Sequence, residues 1–230
     1  MAGYVDQIVL SYHDSLLRQS DLSLLQLGQW LNDNVLGFVF EYFEKEKFFN
    51  FANKATFVSP QVTQFIKFAG DDELGVFLSP LELKTKELVF SFINDNQTRS
   101  AGGTHWSFML FHRRLHKFQH YDSLHNMNAS VARKISEKLL PYLGVNERTT
   151  FVNEKCPQQQ NYYDCGLFAV SVAEYLCQVH LLNEKQSLKS IVTQDSVTKK
   201  RDEIRSLIIT LSENSSKECS SDFIPKSESV

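Results

Sequence analysis

The sequence predicts an α+β fold, with helices at both ends and a mixed or antiparallel sheet in the middle. Two runs, 35–43 and 167–176, are apolar on most faces and read as buried helices. Between them lie three apolar, strand-like runs, 88–95, 104–112 and 116–122, the last two joined by a short turn. An amphipathic stretch at 198–212, with Ile204, Leu207, Ile208 and Leu211 inward, adds a last helix.

Taken in order, Ile8–Tyr12 reads as a strand or edge segment. The helix over 35–43 is capped by Asn32 or Asp33. Ser59-Pro60 is a helix start, with the cap at Ser59 and proline at the first helical position; Val62, Phe65, Ile66 and Ala69 mark its apolar stripe. A short helical stretch follows near 72–78. Residues 96–103 form a polar loop with two glycines, and Arg113-Arg114 makes a turn between two strands of an antiparallel meander. Val131, Ile135, Leu139 and Tyr142 share one face of a helix over 129–142, and Thr150–Val152 is a fourth strand. The Ser/Lys/Glu-rich stretch 212–230 buries too little apolar area to order and reads as a disordered tail behind a single domain, 1–211.

Composition narrows the function. With 42% hydrophobic residues and 18 Phe, the chain can build a large aromatic core. A net charge of −3 gives no reason to expect nucleic acid or an anionic membrane surface. No apolar run reaches about 18 residues, and the N-terminus lacks the basic start and apolar core of a signal peptide. Cysteines 156, 165, 177 and 219 show no CxxC pairing, which points to reduced thiols in a cytoplasmic or nuclear protein without a metal site. His112, His116 and His120 are spaced by four, but on a hairpin that spacing makes no metal face and they read as solvated strand histidines.

The chemistry concentrates where a glutamine-rich loop, Pro157 to Asn161, runs into Asp164-Cys165-Gly166 and the buried helix. Asp164 suits the N-cap, its carboxylate accepting from a first-turn amide. Cys165 then stands at the positive end of a helix, a location that favours thiolate over thiol. A cysteine at a helix start can equally be a small buried hydrophobe, so a base, an acid and an oxyanion donor are needed beside it. His105 begins one strand and Asp122 ends the next, so a short antiparallel turn brings them together although they are 17 residues apart. Asp122 can then fix the His105 tautomer while the other ring nitrogen faces Cys165; Asp95 is the alternative acid. Gln159, six residues before Cys165, can donate to an oxyanion with the Cys165 amide, and Gln158 or Gln160 fits that role equally by composition.

These residues, with the segments Trp30-Leu31-Asn32-Asp33, Gly103-Thr104-His105-Trp106-Ser107, Tyr121-Asp122-Ser123 and Gln159 to Gly166, resemble the ubiquitin-like-protein-specific cysteine proteases, the Ulp and sentrin-protease group. The phrases beginning at Leu10, Ile93, Ala101 and Gln159 look like its deneddylase branch. The resemblance implies a variant of the papain-like cysteine protease fold that cleaves after the C-terminal Gly-Gly of the neddylation modifier, in precursors and in conjugates such as cullins. Cys165 is then the nucleophile, His105 the general base and acid, Asp122 its orienting partner and Gln159 an oxyanion donor. Trp30 and Trp106 would flank a tunnel that passes only glycines, because two indole walls exclude larger side chains; Asp33 would bind the modifier's tail. By itself Trp30 reads as a core anchor. The same resemblance implies a monomer with no cofactor. SUMO- or ubiquitin-directed proteolysis, an acyltransferase and a non-catalytic modifier-binding module are the competing functions.

Overall fold

The structure, a computed structural model, describes residues 5–221, with side-chain surroundings through residue 215. Strands β1 (Ile8–Tyr12) and β2 (Ser15–Arg18) pair antiparallel as a separate hairpin. Helices α1 (Gln19–Ser23) and α2 (Asp33–Tyr42) follow, and a π turn over Phe43–Lys47 continues the second. Asn32 caps α2, its Oδ1 accepting from the Val35 amide at 3.0 Å. Next come β3 (Ala55–Val58), α3 (Pro60–Phe68), α4 (Asp71–Leu78), β4 (Leu88–Asn94), β5 (Trp106–His112) and β6 (Lys117–Tyr121). Ser59 caps α3 by accepting from the Val62 amide, as its sequence context predicts. The chain ends with α5 (Ala129–Leu139), β7 (Thr150–Asn153), α6 (Cys165–Leu181), α7 (Leu188–Ile191) and α8 (Gln194–Ser221).

The main sheet has the order β3-β4-β5-β6-β7 and is mixed. The central meander β4-β5-β6 is antiparallel, while the outer pairs β3-β4 and β6-β7 are parallel. Each parallel pair is joined through helices, α3 and α4 on one side and α5 on the other, because parallel strands need a crossover. Every residue of β4 and β5 is buried, which is why both read as near-continuous apolar runs. Alternate residues still divide between two cores. Leu88, Phe90, Phe92, Phe108 and Leu110 join α2, α6 and α8, while Val89, Ile93, Met109 and Phe111 join α3, α4 and α5. Phe40 of α2 stacks on Phe92 of β4 with centroids 4.0 Å apart, so the aromatic excess fills the layer between sheet and helices.

Several expectations change. Strands β2 and β3 were not anticipated; each is four residues long, too short to show a period. The last helix begins at Gln194 and continues to Ser221, so part of the stretch expected to be disordered is helical, and residues 222–230 lie outside the described residues. Buried Val197, Arg201, Ile204 and Ile208 anchor that helix, and propagation beyond an anchored nucleus needs little more. His112 and His120 are buried rather than solvated. His120 bonds the Ser107 hydroxyl through Nε2 and the Asn153 side chain through Nδ1, both at 2.9 Å. Burial holds the pKa of both histidines below the ordinary value. Among the described residues no group of three or more His, Cys, Asp or Glu is arranged to hold a metal ion, and no helix is long and apolar enough to cross a membrane.

The sheet-to-helix aromatic layer sets the first prediction. Phe92→Ala removes a fully buried ring from its centre and is expected to cost about 3–5 kcal/mol in urea unfolding. A cost below about 1 kcal/mol would show that the layer repacks freely.

Candidate active site

Strand register builds the site. Asn94 pairs with Trp106 at the end of the β4-β5 ladder, so His105 emerges just beyond it. Tyr121 pairs with Phe108, so Asp122 leaves β6 beside the same end of β5. Both side chains are buried, and His105 Nε2 lies 2.7 Å from Asp122 Oδ1. Asp122 also accepts from the Leu124 and Asn128 amides, each at 2.8 Å. Burial opposes ionisation of Asp122, but the His105 bond and these two amides outweigh it and hold its pKa below the usual carboxylate range.

Cys165 opens α6 and packs against the start of β5, buried like the pair. It lies near enough to His105 to influence the ring, whose Nδ1 is the nitrogen left over from Asp122. Desolvation pushes the His105 pKa down, yet the bonds and charges of Asp122 and Cys165 prevail and raise it to about 9. An imidazole raised in this way is protonated at neutral pH and deprotonates only as pH passes that value.

The glutamine loop is sewn to the acid's strand end. The Gln159 amide donates to the Ser123 carbonyl at 3.0 Å, and the Ser123 hydroxyl donates to Gln159 Oε1 at 2.8 Å. Gln159 Nε2 donates to the Asn161 carbonyl, which leaves its second hydrogen for another acceptor. Gln158 differs: its Nε2 donates to the carbonyls of both Asp122 and Cys156. Gln160 is exposed.

Two sequence readings near the site are corrected. Asp164 stands at the N-cap of α6 without capping it. Its carboxylate instead accepts from Asn161 and Gln194, and pairs at 2.8 Å with the guanidinium of Arg201, equally buried in α8. Asp95 does not touch the imidazole: it accepts from the Thr104 and His105 main-chain amides and the Thr104 hydroxyl, so it holds the backbone that carries His105. The preceding glycine is obligatory, since Gly103 has φ +97° and a Cβ there would lie 2.0 Å from Asn94 Oδ1.

A cleft of about 750 Å³ leads to Cys165, lined among others by Trp30, Asp33, Gly102, Gly103 and Trp106. Trp30 is 46% exposed and so is not a core anchor. Trp106 is buried and donates from Nε1 to the Leu31 carbonyl at 3.0 Å. Leu31 in turn covers Gly166, where a Cβ would meet the Leu31 Cβ at 3.2 Å. Asp33 is half-buried in the first turn of α2, on the cleft wall.

Arg201 and Asn128 are the buried site residues that sequence reasoning missed. Arg201 lies in a helix pattern that shows only its apolar stripe, and Asn128 in a polar turn. Arg201 donates to the carbonyls of Leu24, Gln26 and Gln29 as well as to Asp164. It therefore ties the loop before Trp30 to the residue before Cys165. Arg201→Met leaves the Asp164 charge buried and unpaired and is expected to cost about 3–5 kcal/mol in urea unfolding. A loss under about 1 kcal/mol would show that the loop holds without this anchor.

The sequence pattern of the Ulp1 protease family, C-terminal catalytic domain, matches residues 29–214. The chain is 46% identical to human sentrin-specific protease 8 over 209 residues, covering 90% of this chain and 99% of that protein. It is 30% identical to NEDD8-specific protease 1 of Arabidopsis thaliana over 176 residues, 75% of this chain and 76% of the relative. The solved C-terminal Ulp1 protease domain in complex with Smt3, the yeast orthologue of SUMO, superposes with a TM-score of 0.73 at 19% identity, covering 91% of this chain and 90% of that one, a likeness of fold. The chain belongs to the Ulp1 protease family and is a cysteine protease.

Proposed function

We propose that this protease hydrolyses the bond after the C-terminal Gly-Gly of the neddylation modifier NEDD8, in precursors and in lysine conjugates such as those of cullins. In this reading Cys165 is the nucleophile, His105 the general base and then acid, Asp122 its orienting partner, and Gln159 with the Cys165 amide the oxyanion donors. The catalytic unit is a single domain within residues 1–211, acting as a monomer in the cytoplasm or nucleus. The observation that carries the chemistry is the buried set Asp122, His105 and Cys165, with the imidazole bonded to the acid at 2.7 Å and its charge favoured by both neighbours. The choice of modifier is supported by the likeness to a NEDD8-specific protease and to sentrin-specific protease 8.

The steps follow from that set. The Cys165 sulfur attacks the glycine carbonyl carbon as the thiolate, its proton carried by His105, and the carbonyl electrons move onto oxygen. The Cys165 amide and the second Gln159 Nε2 hydrogen receive that oxyanion. Collapse expels the lysine or main-chain amine, which takes its proton from His105 Nδ1. Neutral His105 then removes a proton from water, the resulting hydroxide attacks the thioester, and collapse returns the thiolate and releases the glycine carboxylate. In this reading Trp30 and Trp106, both on the cleft lining, flank the glycine tail and exclude larger side chains.

Electrophilic probes built on the C-termini of NEDD8, SUMO and ubiquitin test this reading by intact mass. One adduct with the NEDD8 probe, absent in Cys165→Ala, is expected. Labelling by the SUMO or ubiquitin probe instead would overturn the choice of modifier, and an adduct retained in Cys165→Ala would overturn the nucleophile.

The raised His105 pKa sets a second outcome. With the imidazolium as the acid for the leaving amine, kcat/KM is expected to fall on the alkaline side with an apparent pKa near 9. Asp122→Asn removes a cause of the rise, so that limb moves to lower pH. A limb that stays near 9 in the variant would belong to another group.

A further inference from the structure

Asn128 occupies the N-cap position of α5, a place where asparagine ordinarily accepts a first-turn amide through its side-chain oxygen. Here it does not cap: that oxygen is buried and has no partner. The residue is fully buried, and its side chain is turned the other way. Nδ2 donates to the carbonyls of Ile93, in β4, and His105, both at 3.2 Å. Its main-chain amide donates to Asp122 Oδ2 at 2.8 Å. To bring that amide back to Asp122, the intervening turn runs through two residues in the left-handed region, His125 (φ +49°) and Asn126 (φ +61°). A non-glycine chain adopts that conformation twice in succession only where the surroundings impose it.

One residue thus reaches the backbone of the base, the carboxylate of the acid and the strand beside them, and forgoes its cap to do so. We propose that Asn128 is a positioning residue of the reaction, which keeps the His105 imidazole in line with Asp122 and Cys165. The proposal rests on the roles given above to His105 and Asp122. It assigns Asn128 no contact with substrate. The His105 carbonyl is held by Asn128 Nδ2 and by the Asp95 amide at 3.2 Å, and the His105 amide by the Asp95 carboxylate at 3.0 Å. The histidine backbone is therefore fixed on both sides of its Cα, and only the ring torsions remain for Asp122 to set.

Asn128→Ser separates positioning from capping. Serine is an equally good N-cap, so a capping role predicts no loss, but serine cannot bridge Ile93 and His105. Positioning predicts a fall in kcat on the order of 10²-fold with KM within about twofold, since small misplacement of a reacting group carries that scale of effect. The alkaline limb of the pH profile is also expected to shift below that of the wild type, because the Asp122–His105 bond that raises the imidazole pKa loosens. A variant with wild-type kcat and an unmoved limb would overturn the proposal, while a dead Cys165→Ala measured alongside would leave the nucleophile assignment standing. Should the variant fail to fold, hydrogen exchange of the Asn128 side-chain amide in the wild-type protein decides: slow exchange supports the bridge, and exchange at the rate of a free amide removes it.

Discussion

The buried pair between Arg201 and Asp164 is the constraint on which the rest of the site depends. Desolvating two charges is costly, and such a pair persists only where further hydrogen bonds satisfy the remaining groups. Here all but the Arg201 Nε find them: Asp164 also accepts from Asn161 and Gln194, and Arg201 also donates through its two terminal nitrogens to three carbonyls of the 24–29 loop. The effect is to join three remote parts of the chain at one point: the final helix, the segment that ends in Trp30, and the residue before the nucleophile. Lys200, the neighbour of Arg201, pairs with buried Glu174 further along α6 at 2.8 Å, so α8 is tied to the nucleophile's helix at two levels. The position of Cys165 is thus a property of the whole domain and not of its own loop.

The second constraint is the competition at His105. Burial alone would favour the neutral imidazole. Asp122 reverses this: its bond to the ring, supported by two main-chain amides, keeps its own charge and favours the imidazolium. The proton therefore rests on the imidazole at neutral pH, in a buried pair at the end of the cleft. Oppositely charged groups so enclosed are screened little by salt. The cleft that reaches Cys165 carries the half-exposed Trp30 on its wall, while Trp106 is locked to Leu31.

Much of this was legible in the sequence for a physical reason. β5, which His105 precedes, and its neighbour β4 are central, so both are buried on both faces and stand out as unbroken apolar runs. The short turn between β5 and β6 made the His105–Asp122 neighbourhood a matter of antiparallel geometry. The illegible parts depend on partners distant in the chain. Asp164 carries the signature of a helix cap, but Arg201, 37 residues away, competes for the same oxygens and wins. Asp95 reads as the alternative acid, but its carboxylate accepts from the Thr104 and His105 main-chain amides. His120 reads as a solvated strand residue because nothing local announces Ser107 and Asn153 on either side of its ring. β3 is parallel to β4 and only four residues long, so neither its length nor a hairpin turn betrays it.

Loops around the cleft and the His105–Asp122 pair are held by long-range hydrogen bonds. Arg201 holds 24–29. Gln64 and Lys67 of α3 hold the carbonyls of 94, 96 and 98, and Lys138 of α5 caps the end of that same helix through three carbonyls. The acid's turn is closed on Asp122 itself, and the glutamine loop is pinned to Ser123. A protease that grips an extended, glycine-terminated tail gains little affinity from side chains at the scissile end, since glycine offers none. It can less well spend binding energy on ordering its own loops at the same moment. Fixing those loops beforehand, through donors rooted in helices and strands, leaves the energy of the tail's contacts available for seating its carbonyl against Cys165.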